Sequence, residues 1–282
     1  MWNNHIEEQF LMKTKRAFVY GIFAIIFALT FVTCGNGDED EDSDSSNTGA
    51  MNPQGANVYF ENSSLPVTGI NADVFMVIDG YWNSQDDYFE MVLPTPIGKI
   101  TNGKLSFTLP NVSAYADKGS PFAEELSYYN RPAGDIKTET DVGWISTSTV
   151  TKNTMEVVIP QDTKVLGGSG IGFVHQGKGY WLSYEDETAY AGPLYFNKPG
   201  TLKGEFNTTE VRTYTYNGNI ETRTYNSNET CNCTFTAGWN VIYGIGIYTG
   251  GGPGSTSTST SNMSTNPPAN AATMRWIAIT HD

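Results

Sequence analysis

Apolar residues recur at every second position through most of the chain after residue 56, and this pattern predicts β-strands. In KLSFTLP, Leu105, Phe107 and Leu109 share one face, and Pro110 ends the strand. The same periodicity predicts strands in ADVFMVID, TMEVVIP, FTAGWNVIYGIGIY and MRWIAIT. The last of these follows a long polar segment, so it must pair with a sheet formed by earlier strands. No long stretch has a convincing helical period.

Two pairs of neighbouring strands are predicted to form hairpins. GIGFVH and GYWLSY are joined by Gln176, Gly177 and Lys178, which have the spacing and chemistry of a tight turn. VRTYTYNGNIETRTY predicts a second hairpin around Asn217 and Gly218. Its alternation of Thr with Tyr and Arg indicates a solvent-facing ribbon.

Two segments depart from the strand pattern. SPFAEELSYYN places Ser120 at a capping position, Pro121 in a first turn and Glu124 at a capping-box position. It predicts a turn or two of helix within the connection 111–144. Residues 250–272 are mostly Gly, Ser, Thr, Asn and Pro with a TSTSTS run, a composition that predicts a flexible loop.

About ten strands with mostly tight turns predict an all-β fold, either an antiparallel β-sandwich or a partly closed barrel. We assign residues 56–282 to one such domain. Two β domains that divide near residues 160–168 are the alternative. A body of this size is long enough to bury a core of ordinary dimensions.

Residues 1–33 have the layout of a bacterial lipoprotein signal peptide. A basic cluster (Lys13, Lys15, Arg16) precedes an uncharged apolar stretch that ends at Cys34, the predicted site of lipid attachment. A start at Met12 would give a more ordinary signal peptide. Translation from this methionine is therefore an alternative to the longer amino terminus.

The residues before the cysteine depart from the usual lipoprotein pattern. Phe31 stands where leucine is usual, and Thr33 stands where Gly, Ala or Ser is usual. The alternative is an uncleaved signal anchor whose basic residues stay in the cytoplasm. Both interpretations place the folded body outside the cytoplasm. Lipid anchoring assigns it to the bacterial cell envelope, on the surface or periplasmic face of the outer membrane.

The segment 34–55 is strongly acidic. It has six carboxylates and no basic residue, so it predicts a disordered tether that extends by charge repulsion. The whole chain has a formal net charge of −14 at pH 7. This acidity leaves no basic patch, so nucleic acid is excluded as a partner, and the membrane contact is assigned to the lipid on Cys34.

The remaining cysteines and histidines predict no metal site and no cofactor. Cys231 and Cys233 are one residue apart on a strand and share a face with Phe235, which favours buried free thiols over a strained disulfide. Only His175 and His281 are present in the body, and a metal site would need further ligands. His175, on an apolar strand, is interpreted as structural.

Candidate binding chemistry lies where acidic residues follow aromatic ones, because sugars are often held by aromatic stacking and by hydrogen bonds to their hydroxyls. The simplest interpretation of such segments is an exposed turn, ligand-binding loops are the second, and the catalytic acids of a glycoside hydrolase are the third. The candidate ligand-contact loops contain Tyr81, Trp82, Asp86, Asp87, Trp181, Tyr184 and Glu185. No nucleophile motif is present, since Ser169 lacks the second glycine of a G-x-S-x-G turn.

An ordered set of short motifs spans residues 97–280: GKITNGKLSFTLP, YWLSYEDETAY, TLKGEF, FTAGWNVIY and RWIAI. This set resembles uncharacterised exported lipoproteins of spirochaetes and Bacteroidota. The resemblance implies one exported all-β domain and brings no established activity.

These observations predict a lipid-anchored cell-envelope protein that acts as a non-catalytic binding or adhesion module, with a host protein or a glycan as its ligand. A periplasmic structural protein whose sheet edges pair with another envelope component is the alternative. A glycan-acting hydrolase is the third hypothesis.

Overall fold

A computed structural model describes residues 51–77, 96–118, 120–122, 126–141, 143–166, 170–216, 219–250, 256–269 and 271–280. These residues contain seventeen strands and three short 3₁₀ helices at Ser113–Lys118, Leu126–Asn130 and Ala271–Thr273. The strands are β1 (Gln54–Phe60), β2 (Ala72–Val77), β3 (Gly98–Thr101), β4 (Lys104–Phe107), β5 (Ser120–Pro121), β6 (Ile136–Asp141), β7 (Trp144–Asn153), β8 (Glu156–Val158), β9 (Lys164–Leu166), β10 (Gly170–His175), β11 (Lys178–Glu185), β12 (Ala189–Phe196), β13 (Gly200–Tyr216), β14 (Asn219–Phe235), β15 (Gly238–Thr249), β16 (Thr256–Ser264) and β17 (Arg275–Thr280).

Seven strands close into a barrel in the order β1, β4, β3, β2, β10, β11 and β17. The barrel closes through a parallel pairing of β1 with β17, whereas its other pairings are antiparallel. Alternate residues point inward and form a buried core that includes Val74, Met76, Leu105 and Trp276. Closure leaves these strands without free edges.

A second sheet continues from the barrel where β11 pairs briefly with β12. Its order is β5, β9, β12, β15, β16, β14, β13, β7 and β6, and β8 pairs with β13 next to β7. One face of β12 and β15 packs on the barrel core through residues such as Ala191 and Tyr243. The opposite face of the same strands belongs to a second core, which contains Phe196 and Ile242.

The all-β prediction is confirmed, and so are the main hairpins. β10 and β11 pair on either side of Gln176 and Gly177, and Gln176 has a positive φ of 51° that suits a tight turn. β13 and β14 pair along their whole length up to Tyr216 and Asn219. The predicted terminal strand MRWIAIT contains β17, which closes the barrel between β1 and β11.

The prediction of a flexible loop at residues 250–272 is wrong for residues 256–264. Thr256–Ser264 form β16, which lies between β14 and β15 and pairs with both. Its serines Ser257 and Ser259 are buried, whereas the threonines Thr256 and Thr260 on the other face are exposed. Composition did not predict this strand because serine and threonine are both polar, so their alternation gives no pattern of hydrophobic and polar positions.

The solvent-facing ribbon predicted for residues 211–225 is confirmed only at its tip, where Thr215, Ile220 and Thr222 are exposed. Up to Tyr214 β13 is flanked by β7, and from Thr224 onward β14 is flanked by β16. Half-buried residues such as Tyr225 therefore face the inside of the second sheet.

The predicted helical turns occur, since Phe122 is helical and Leu126–Asn130 form a 3₁₀ helix, but they begin after the predicted capping positions. Ser120 and Pro121 form the two-residue strand β5, which pairs with β9. An edge strand tolerates proline because the missing N–H costs no ladder bond on the open side. The next residue, Phe122, is buried, has helical conformation and donates its N–H to the carbonyl of Thr163 at 2.9 Å.

The folded body begins earlier than predicted. Residues 51–55 were placed in the tether, yet the Met51 side chain is 1% exposed in the barrel core and β1 begins at Gln54. The alternative division at residues 160–168 is crossed by strand pairing, because β2 precedes it and pairs with β10, which follows it. The signal segment 1–33, Cys34 and the acidic run before residue 51 lie outside the described residues. The residues that the structure describes include no helix that is long and apolar enough to cross a membrane.

Candidate functional site

The inner face of the second sheet surrounds a cavity of about 1190 Å³. Strands β12 to β16 and β7 form one side of it, and the chain between β5 and β7 contributes the facing side. We call Phe122 and residues 126–139 the cover segment, because they lie against this face. The cavity is slightly larger than the range of about 300–1000 Å³ that is typical of small-molecule sites.

The floor of the cavity is apolar and aromatic. The rings of Phe196 and Phe235 stack with centroids 4.3 Å apart, and Phe122 of the cover segment meets both edge-on at 5.1 and 5.8 Å. Leu202 and Ile242 complete this surface and are buried. The floor therefore suits an apolar group.

The cover segment is held to the wall by rings and by hydrogen bonds. Tyr128 and Tyr129 both pack on Phe206, with ring centroids 4.6 and 5.3 Å away. The Asn153 side-chain amide donates to the carbonyl oxygens of Tyr129 and Arg131, each at 2.7 Å. These contacts fix the short 3₁₀ helix Leu126–Asn130 over the cavity.

The space exists because inward positions of the central strands carry small side chains. Ser257, Ser259 and Ser261 point inward from β16, and the neighbouring inward positions of β15 include Gly244 and Gly246. A Cβ atom at Gly244 would lie 2.1 Å from the Tyr190 ring, so glycine lets that ring lie against the backbone. Burial raises the pKa of Tyr190 to about 12.

Ion pairs surround the mouth of the cavity. Arg131 contacts Asp135 at 2.6 Å, and Lys137 contacts Glu139 at 2.7 Å within β6. Arg212 forms a two-pronged contact with Glu210, with N to O distances of 2.6 and 3.0 Å. Each basic group named here has an acidic partner, so the rim has little net charge.

Arg212 is also positioned by aromatic rings. Its guanidinium carbon lies 5.7 Å from the Trp144 ring centroid and 5.3 Å from that of Tyr225. The hydrogen bond with Glu210 raises the pKa of Arg212 above its ordinary value. The Ser146 hydroxyl donates to the same carboxylate, which ties β7 to β13.

One carboxyl group lies deeper in the cavity. Glu229 on β14 accepts hydrogen bonds from the hydroxyls of Tyr129 at 3.0 Å and Ser227 at 3.3 Å. Burial raises the pKa of Glu229 above its ordinary value, although these two hydrogen bonds act in the opposite direction. Glu229 therefore provides a polar group between the apolar floor and the rim.

The two thiols predicted to be buried and free are confirmed as such. Cys231 lines the cavity beside Glu229, and its pKa is raised by burial first and then by Cys233 and Glu229. Burial also raises the pKa of Cys233, to about 12. Both thiols are therefore poor nucleophiles in the folded protein.

Of the sequence-predicted ligand-contact residues, Trp181, Tyr184 and Glu185 lie in strand β11 rather than in a loop. Trp181 faces outward from the barrel and covers Gly170. Tyr184 faces the barrel core, where its ring centroid lies 5.2 Å from that of Trp276. Glu185 accepts a hydrogen bond from Ser183 at 2.5 Å.

None of these three residues lines the cavity of the second sheet. The other four candidates, Tyr81, Trp82, Asp86 and Asp87, lie outside the described residues. In the part of the chain that the structure describes, no three His, Cys, Asp or Glu side chains are grouped closely enough to hold a metal ion.

Sequence reasoning missed the cavity because it searched for aromatic residues beside acids. The useful signal was small side chains at every second position, in YGIGIY of β15 and TSTSTS of β16. On adjacent strands such positions leave a hollow on one face of the sheet. Comparisons of the chain with protein-family models, with curated proteins and with solved structures found no match. The resemblance to exported lipoproteins therefore stays a prediction.

Proposed function

We propose that this protein is an exported, non-catalytic binding module that holds a small ligand in the cavity of its second sheet. The observation that supports the proposal is the cavity itself, with an apolar floor and a polar rim. This combination is typical of ligand pockets, in which apolar contacts supply affinity and a few polar groups fix the orientation.

The chemistry of the lining favours binding over catalysis. The acids at the rim are held in ion pairs with Arg131, Lys137 and Arg212. The thiol of Cys231 has a raised pKa and lies beside a buried carboxyl, so it is not activated. We therefore place the glycan hydrolase hypothesis last.

A cavity-filling variant tests the proposal. Ser259→Phe adds a ring on the inner face of β16, whereas Thr260→Phe adds the same ring on the exposed outer face. An uncharged fluorescent apolar probe such as N-phenyl-1-naphthylamine should bind the wild type and Thr260→Phe equally, and it should bind Ser259→Phe at least about tenfold more weakly. Equal binding by all three proteins, each with an intact unfolding transition, would contradict the proposal.

We further propose that the protein is anchored in the bacterial cell envelope by lipid on Cys34. The support is the basic, apolar and cysteine layout of the signal segment. Cys34→Ala should abolish labelling by a radioactive or alkynyl fatty acid in cells. Continued labelling of this variant would refute the anchor.

The envelope structural role is the second candidate function, and β6 is the feature that favours it. β6 lies at the end of the second sheet, and all six of its residues are exposed. Its Lys137, Glu139 and Asp141 disfavour indiscriminate pairing at this edge, so a partner strand would need complementary charges. A photocrosslinker at Thr138 should capture an envelope protein in cells if this edge is an interface; the absence of any adduct would count against this role.

A further inference from the structure

We infer that the ligand of this cavity is an amphiphile with one apolar chain and an uncharged head that carries several hydroxyl groups, as in an alkyl glycoside or a neutral glycolipid. This inference rests on the proposed binding function and names the chemical class of the ligand. Three features support it: a ladder of hydroxyls, a charge-balanced rim and an aromatic floor.

The hydroxyl ladder runs along two adjacent strands. Ser257, Ser259 and Ser261 of β16 are in parallel register with Tyr225, Ser227 and Glu229 of β14, and all six side chains line the cavity. Alternate residues on a strand are about 7 Å apart, and adjacent strands are about 5 Å apart. The wall thus offers two parallel rows of hydroxyl and carboxyl groups over a length of about 13 Å.

A serine hydroxyl can both donate and accept a hydrogen bond, and so can a ligand hydroxyl. A wall of serines is therefore matched by a head with several hydroxyls rather than by one strong acceptor. The row also continues across the sheet, since Ser148 of β7 and Thr208 of β13 line the same cavity. A head with hydroxyls on more than one side would find partners on several strands.

The charges of the rim favour an uncharged head. Three ion pairs account for the basic groups of the described lining, which are Arg131, Lys137 and Arg212. An anionic head would have to compete with carboxylates that already hold these cations. A cationic head would be repelled by the same three basic groups. Glu229, the fourth acid of the lining, is buried and already accepts a hydrogen bond from Tyr129.

The floor accounts for the apolar chain. Phe122, Phe196 and Phe235 form a continuous aromatic surface, and Leu202 belongs to the same buried cluster. A chain laid on this surface would leave its head at the level of the serine ladder. The order from floor to rim is thus apolar, hydroxyl-rich and ion-paired.

The first experiment compares heads on a constant chain. Isothermal titration calorimetry is done on the chain from residue 35 onward, because the apolar segment 17–33 and the lipid would themselves bind dodecyl chains. The ligands are dodecyl maltoside, dodecanoate, dodecyl phosphate, dodecyltrimethylammonium and dodecanol, each below the concentration at which it aggregates. We expect dodecyl maltoside to bind at least about tenfold more tightly than the anionic and cationic compounds and than dodecanol, which has a single hydroxyl. A neutral glycolipid in phosphatidylcholine vesicles then separates a membrane source from a soluble one, because only a membrane ligand would recruit the soluble body (residues 51–282) to vesicles.

The second experiment removes the ladder. Ser257→Ala combined with Ser259→Ala should weaken dodecyl maltoside about tenfold and leave dodecanol unchanged, because two head contacts are lost and the floor is intact. Thr260→Ala, on the opposite face of β16, is the matched control and should bind both compounds as the wild type does. Urea unfolding of each variant shows whether the fold is retained.

Two outcomes overturn the inference separately. If dodecanoate, dodecyl phosphate or the ammonium compound binds as tightly as the maltoside, the assignment of an uncharged head to the ligand is wrong. The proposed binding function would still stand. If no dodecyl compound binds the wild type, and Ser259→Phe leaves probe binding unchanged, both the ligand class and the binding function are wrong.

Discussion

The strand β16 is the feature on which the cavity wall depends, and a proline substitution tests it directly. Ser259 lies in the middle of β16, in register with Ser227 of β14 on one side and Tyr248 of β15 on the other. Ser259→Pro removes the backbone N–H at this position. In a flexible loop this change would have little effect on the free energy of unfolding. In a strand with partners on both sides it removes a hydrogen bond between strands.

The expected loss follows from the hydrogen bond and from the group it leaves behind. One backbone hydrogen bond contributes about 1 kcal/mol net, and an acceptor left unsatisfied in a buried place costs about 1–3 kcal/mol more. Ser259 is 8% exposed, so water does not easily replace the lost donor. We expect Ser259→Pro to lower the free energy of unfolding by about 2–4 kcal/mol.

Urea unfolding followed by tryptophan fluorescence measures this loss, with Ser259→Ala as the matched control. The alanine variant removes the hydroxyl but keeps the N–H, so it should unfold within about 1 kcal/mol of the wild type. The two variants together separate the backbone from the side chain. If Ser259→Pro and Ser259→Ala unfold at the same urea concentration, residues 256–264 do not form a central strand. The description of β16 as part of the cavity wall would then be wrong.

Three further predictions concern the second core and its titratable groups. Phe196→Ala should lower the free energy of unfolding by about 3–5 kcal/mol in urea, because the side chain is 1% exposed and touches two rings; a loss below about 1 kcal/mol would contradict this packing. Burial raises the folded-state pKa of Glu229 above its unfolded value, so its contribution to stability is present below the unfolded pKa and is lost as pH rises through the folded pKa. Urea titrations across this window should show a decline that Glu229→Gln removes, and an identical decline in the variant would assign it to other groups. Cys231 and Cys233 should resist iodoacetamide at mildly alkaline pH until urea unfolds the protein, and rapid modification of the native protein, read by peptide mass spectrometry, would refute their burial.

Much of the fold could be predicted because apolar alternation is a local property. Leu105 and Phe107 are both buried on one face of β4, as their spacing requires. The turn at Gln176 and Gly177 was readable because tight hairpins need residues that accept a positive φ. The free thiols could be placed because two residues one position apart on a strand share a face.

The barrel closure and the second sheet could not be predicted from such local patterns. The parallel pairing of β1 with β17 joins Val58 to Trp276 across most of the chain, and no local signal specifies that partner. The division of β12 between two cores has the same origin, since Ala191 and Leu194 look equally apolar in the sequence yet face different layers.

The cavity was missed for a different reason. The wall depends on the small side-chain volume of Gly246, Ser257 and Ser259 and not on a reactive or ligand-binding group. A hollow depends on the strands that happen to be adjacent, and only the register of β14, β15 and β16 brings these small residues together.

The position of β16 has a consequence for the order of folding. β14 and β15 follow each other through a short turn at Thr236 and Ala237, yet β16, which comes later in the chain, lies between them. During synthesis the two outer strands therefore emerge before the strand that separates them, and a slot with two unpaired edges awaits its occupant. Until residues 256–264 arrive, these edges are open to a strand from another molecule.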